Sequence, residues 1–109
     1  MQMHQIRYFL ALCAEGNFTR AARRSGVSQP SLTNAIGALE RQLGGALFER
    51  KPAVALTALG RAVQPYLSRI AQEADHAREA AQALVDVQPA NAEAASIHQA
   101  EGSSLCSSS

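Results

Sequence analysis

The chain has 109 residues, the size of one small domain, and 10 Lys and Arg face 9 Asp and Glu for a formal charge of +1. That total conceals a division: residues 1–70 carry Arg7, Arg20, Arg23, Arg24, Arg41, Arg50, Lys51, Arg61 and Arg69 against Glu15, Glu40 and Glu49, whereas residues 71–109 set Arg78 against Glu73, Asp75, Glu79, Asp86, Glu93 and Glu101. A basic half beside an acidic half points to a polyanionic partner for the first. No apolar run reaches the ~18 residues that a membrane span needs, and Arg7 interrupts the first apolar segment where a signal peptide would be uncharged. Cys13 and Cys106 are too far apart in sequence and context for a disulfide framework, and His4, His76 and His98 have no metal-ligand spacing. No nucleophile–base pair or carboxylate cluster appears, so the expectation is a cytoplasmic protein that is not an enzyme and needs no cofactor.

Residues 4–15 read as a helix, with Ile6, Phe9, Leu10 and Cys13 on one face and Gly16 closing it; no clean N-cap is evident. Asn17 caps a second helix, about 18–25, whose apolar face is Phe18, Ala21 and Ala22 and whose polar face carries Arg20, Arg23 and Arg24. Gly26 permits a tight turn and Val27 tucks back. Ser28 caps a third helix, about 29–43, with Pro30 in its first turn. Leu32, Ile36, Leu39 and Leu43 form its buried stripe, and Gly44-Gly45 stops it. Residues 46–56 read as a small hairpin, with Leu47-Phe48 in one segment, Val54 and Leu56 in the other, and Lys51-Pro52 at the turn.

Thr57 caps a fourth helix that runs to about residue 88. Leu59, Val63, Tyr66, Ile70, Ala77, Ala80, Leu84 and Val87 repeat like a heptad seam, broken at Glu73, and Pro65 is expected to kink the helix near residues 61–65. The seam fits either packing against the first helix or a dimer interface. A helix of this length overhangs a small core, which favours a partner chain for its C-terminal half. Residues 89–109, rich in Ala, Ser, Gln and Asn, hold too little apolar surface to offset chain entropy and are expected to be disordered. Cys13 reads as an inert core residue, with redox sensing as the alternative, and Tyr66 as a packing residue.

The spacing from Phe18 to Ala38 fits a helix-turn-helix. Ala22 is small where two helices cross, Gly26 sits in the turn, and Val27 and Leu32 brace the second helix. The first turn of that second helix offers Gln29, Ser31, Thr33 and Asn34, side-chain types that hydrogen-bond to base edges. Arg20, Arg23 and Arg24, with Arg50 and Lys51 of the hairpin, are placed to meet phosphates.

The string AARRSGVSQPSLTNAIGALERQLGGALFER, followed by LTALG, resembles the N-terminal winged helix-turn-helix of LysR-type transcriptional regulators over roughly residues 3–88. Its most specific elements are Ser28-Gln29-Pro30-Ser31-Leu32-Thr33, Leu39-Glu40, Leu43-Gly44, Leu47-Phe48-Glu49-Arg50, and Leu56-Thr57 with Gly60. The resemblance implies a dimer with two recognition helices in successive major grooves, a hairpin wing toward the minor groove and a long linker helix. It implies that Gln29, Pro30, Ser31, Thr33 and Asn34 contact bases or nearby backbone, and that Asn17, Thr19, Ser28 and Arg50 lie near phosphates.

Four departures stand out. The effector-binding domain that family members carry is absent from these residues. Ser25 replaces a commonly larger apolar side chain, leaving either a packing defect or a hydroxyl that needs a bond. Asn34 is shorter than the polar or basic residue often found there. The wing tip, Pro52 to Ala55, has no arginine, which leaves Arg50 and Lys51 for the minor groove.

The expected fold is therefore mainly α: a winged helix-turn-helix of three helices and a β-hairpin over residues 1–57, a dimerisation helix over 58–88 and a disordered tail over 89–109. The expected function is sequence-specific binding of double-stranded DNA in transcription regulation, as a homodimer through Leu59, Val63, Tyr66, Ile70, Ala77, Leu84 and Val87. The alternative is an interaction module that heterodimerises with a full-length relative and titrates it. No small-molecule effector is expected, because ligand control needs a concave site of at least a few hundred cubic ångströms, roughly, beside an already small core.

Overall fold

The structure, a computed structural model, describes residues 1–87. The tail expected to be disordered lies outside the described residues. Their elements run α1 (Met3–Glu15), α2 (Phe18–Ser25), α3 (Gln29–Leu43), β1 (Phe48–Glu49), β2 (Ala55–Leu56) and α4 (Ala58–Val87). The chain divides into two compact units, Met1–Glu73 and a second beginning at Ala74.

Local chemistry sets most of the boundaries. The Asn17 side chain accepts the Arg20 N–H at 2.8 Å to open α2, and the Ser28 hydroxyl accepts the Ser31 N–H at 3.2 Å to open α3. Between them the chain reverses at Gly26, whose φ of 71° is left-handed and costs a glycine little. The start of α1, which showed no cap residue in the sequence, is closed by Gln5: its Oε1 accepts the Gln2 N–H at 3.0 Å, and Gln5 is itself buried.

Helices α1, α2 and α3 pack pairwise around a core of Ile6, Phe9, Leu12, Leu32, Ile36, Leu39 and Leu47. The buried face of α1 differs from the expected one. Leu12 is fully buried, while Leu10 and Cys13 are half-buried at the margin. Flanked by α2 and α3, α1 turns the Ile6–Phe9–Leu12 side inward, a rotation that the spacing alone left open.

The two strands pair antiparallel, Phe48 opposite Leu56 and Glu49 opposite Ala55. Phe48 is buried, its ring centroid 5.4 Å from that of Phe9. Thr57 joins the hairpin to α4. Its N–H donates to Leu47 O at 3.0 Å, its hydroxyl donates to Ala46 O at 2.7 Å, and the Thr57 hydroxyl oxygen accepts the Gly60 N–H at 3.0 Å. Gly60 has no alternative here: a Cβ would meet the Leu47 carbonyl oxygen and the Leu56 side chain.

The first part of α4 packs against the chain's own core. Leu67 and Ala71 are buried, and Leu59 and Val63 pack against the protomer's own core. Residues 59, 63, 67 and 71 follow a four-residue row along one side of a helix, whereas Tyr66 and Ile70, each about 100° round from the buried residue that follows it, are exposed. The first compact unit runs through this part of α4 to Glu73. In the second unit Ala77 and Leu84 are exposed; the side chain of Val87 lies outside what is described. The helix continues through Pro65.

Candidate nucleic-acid interface

The exposed edge of the helix-turn-helix is built from the starts of α2 and α3. Pro30, Ser31 and Asn34 are exposed, and Thr33 is half-buried at the flank. Gln29 is exposed and its Oε1 accepts the Thr19 hydroxyl at 3.0 Å, which ties the two helix starts together. The Ser28 hydroxyl donates to Ser31 Oγ at 3.0 Å. These bonds tie Gln29 and Ser31 to their neighbours at the start of α3.

The basic residues divide by their partners. Glu15 holds Arg24 at 3.0 Å and approaches Arg20 at 4.0 Å. Arg50 lies 4.9 Å above the Phe18 ring and 3.9 Å from Glu40. Arg23 and Lys51 are exposed and form no ion pair among the described residues. Asn17, expected near a phosphate, uses its side-chain oxygen as the α2 cap.

Three residues have organising roles that the sequence did not show. Glu40 accepts the Leu47 N–H at 2.8 Å as well as facing Arg50, and so fixes the base of the wing against α3. Glu15 is the counter-charge for α2. Arg61 donates to Leu56 O at 2.9 Å at the wing's base. Each bond joins different elements, so no local motif announces it.

Two concavities bear on the expectations. Arg7, Leu10, Ala11, Arg24 and Ser25 line an open depression of ≈ 210 Å³, at the place where Ser25 was expected to leave either a packing defect or a hydroxyl in need of a bond. A larger depression of ≈ 460 Å³, wide open to solvent, is lined by Gly37, Glu40, Arg41, Gly44 and Gly45. Burial pushes the Cys13 thiol up to about 11, against an ordinary 9.0. Among the described residues, no group of His, Cys, Asp and Glu could hold a metal ion, and no helix is long and apolar enough to cross a membrane.

Three packed helices, a glycine turn before a capped and outward-facing third helix, and a short antiparallel hairpin define a winged helix-turn-helix domain. The chain belongs to the LysR family: the family model described as "Bacterial regulatory helix-turn-helix protein, lysR family" matches residues 3–61. It is 52% identical over 61 residues to the HTH-type transcriptional regulator ClcR of Pseudomonas putida, covering 55% of this chain and 21% of ClcR. It is 42% identical over 89 residues to the regulator IlvR of Caulobacter vibrioides, covering 81% of this chain and 30% of IlvR. The chain thus spans between a fifth and a third of the length of these relatives, which are regulators and not enzymes. Among solved structures it is similar to a CbnR DBD–DNA complex, with a TM-score of 0.71 and 37% identity over 78% of this chain and 99% of that one. It is also similar to a BenM DBD complex with catB site 1 DNA, with a TM-score of 0.73 and 30% identity over 78% of this chain and 97% of that one.

Proposed function

We propose that the chain is a sequence-specific duplex-DNA-binding module of a transcription regulator, with α3 in the major groove and two copies paired through α4. The observation that carries this reading is the first turn of α3, which exposes Gln29, Pro30, Ser31 and Asn34 and is held by the Ser28 cap and the Thr19–Gln29 bond. In this reading Gln29 and Asn34 hydrogen-bond base edges, Ser31 and Thr33 assist, and Arg23, Arg50 and Lys51 meet phosphates. Arg20 and Arg24 take part by exchanging Glu15 for phosphate. The similarity to the CbnR and BenM complexes with DNA supports the same mode here.

Tyr66, Ile70, Leu84 and Val85 are large apolar residues exposed on α4, and they are the proposed dimerisation residues, with Ala77 between. The same residues support a second reading, in which the chain pairs with a full-length relative and titrates it.

Selection from a random duplex library, with the bound pool sequenced, tests the choice. An enriched palindrome is expected. No enrichment, together with stable association to a related regulator, would establish the interaction module instead.

A further inference from the structure

We propose that Arg41 is a further DNA-contacting residue, which seats the phosphate backbone of one strand against the outward side of α3. The proposal rests on the DNA-binding reading above and adds to it a contact from the far end of the recognition helix.

Residues 30, 34, 37 and 41 fall on one strip of an α-helix, and on α3 that strip lies opposite the buried Leu32, Ile36 and Leu39. Pro30, Asn34 and Arg41 are exposed and Gly37 is half-exposed. The strip that begins with base-facing residues thus ends in a cation, and Arg41 is the only basic side chain on α3. Long helical side chains lean toward the N-terminus of their helix, and Gly37 has no side chain to obstruct this one. The Arg41 guanidinium accordingly lies 3.6 Å from where a Cβ on Gly37 would be. A cation in the last turn often answers the helix's final carbonyls. Arg41 instead lies over the preceding turn, closer to Asn34.

The surroundings fit a phosphodiester. Gly37, Gly44 and Gly45 contribute no side chains to the ≈ 460 Å³ depression, so only Glu40 and Arg41 project from its lining. Glu40 is committed to the Leu47 N–H and faces Arg50, and Arg41 has no ion pair among the described residues. An arginine fork beside open space receives two phosphate oxygens at once. Position along the helix favours phosphate over base. Arg41 stands seven residues beyond Asn34, roughly 10 Å along the axis, where a helix whose first turn enters the groove has reached the groove's rim.

The full chain is titrated onto a random-sequence duplex and onto the duplex enriched by selection, at several salt concentrations. Arg41→Ala is expected to weaken both by the same factor, roughly three- to tenfold, and to lower the salt slope by about one per chain. Arg41→Lys is expected to keep the slope. Gly37→Gln puts a side chain where the guanidinium lies and is a better helix former than glycine. It should weaken binding to a similar degree, raise the melting temperature, and add nothing on top of Arg41→Ala. Unchanged affinity and slope in Arg41→Ala overturn the proposal, as does a loss confined to the selected duplex, which would make Arg41 a base reader. A wild-type chain that binds neither duplex overturns the DNA-binding reading as well, so the two failures are distinguishable.

Discussion

Between Leu59 and Ala71, α4 buries Leu67 and Ala71 and packs Leu59 and Val63 against the core, whereas from His76 to Asp86 every residue of the same helix is exposed, Leu84 and Val85 among them. Both stretches place apolar side chains at spacings of three and four. The pattern establishes that a helix has an apolar face and is silent on which chain covers it. In the first stretch Leu47, Phe48 and the Thr57 bonds bring the helix against its own domain. In the second no such anchor exists among the described residues.

The largest expected effects lie in the first stretch. Gly60→Ala should cost about 3 kcal/mol or more, since its Cβ has no room beside the Leu47 carbonyl. Leu67→Ala should cost about 2–5 kcal/mol by cavity formation, read from urea unfolding at fixed protein concentration. Leu84→Asp should leave the far-ultraviolet spectrum unchanged and shift sedimentation from dimer to monomer. Equal losses of helicity at Leu67 and Leu84 would break the comparison. Truncation after Thr57 would remove Leu67 and Ala71 from the core, so it is not a clean way to make a monomer.

The next effects sharpen a second contrast, between base-facing and phosphate-facing residues. Gln29→Ala should weaken the selected duplex by ~1–3 kcal/mol and leave random duplex nearly unchanged. Arg23→Ala should weaken both alike and reduce the salt slope by about one per chain, with Arg24→Ala smaller because Glu15 already offsets that charge. A flat salt response in the wild type would remove the phosphate assignment altogether.

A smaller gain is expected at Ser25. Filling the depression it lines by Ser25→Leu should stabilise the fold by about 1 kcal/mol, seen as a raised melting temperature.

The smallest effect concerns Cys13. With its thiol held up to about 11, it stays protonated at neutral pH, so alkylation should be slow at pH 7 and accelerate toward pH 11. Because the folded value is raised, the stability that the neutral thiol contributes is complete below about pH 9 and is lost as the pH climbs to about 11. Rapid alkylation at pH 7 would revive the redox-sensing alternative.

Local sequence decides the helix-turn-helix. Asn17, Gly26, Ser28 and Gly44 act within a turn of themselves, and the bounds of α2 and α3 accordingly match those expected from the residues. The outward turn at Gln29–Asn34 was legible for the same reason: its cap and the buried Leu32–Ile36–Leu39 stripe together leave one direction for the polar side chains. Tertiary structure alone decides which side of α1 is buried, that α4 belongs to the core as far as Ala71, and which arginines meet a carboxylate first. Glu40 reaches Leu47 and Arg50 from another element, and the ≈ 460 Å³ depression beside it arises only when the end of α3 and the following loop are folded together. Caps, turns and amphipathic periods act over a few residues and are written in order along the chain. Burial, charge pairing and surface shape depend on elements that meet only in space.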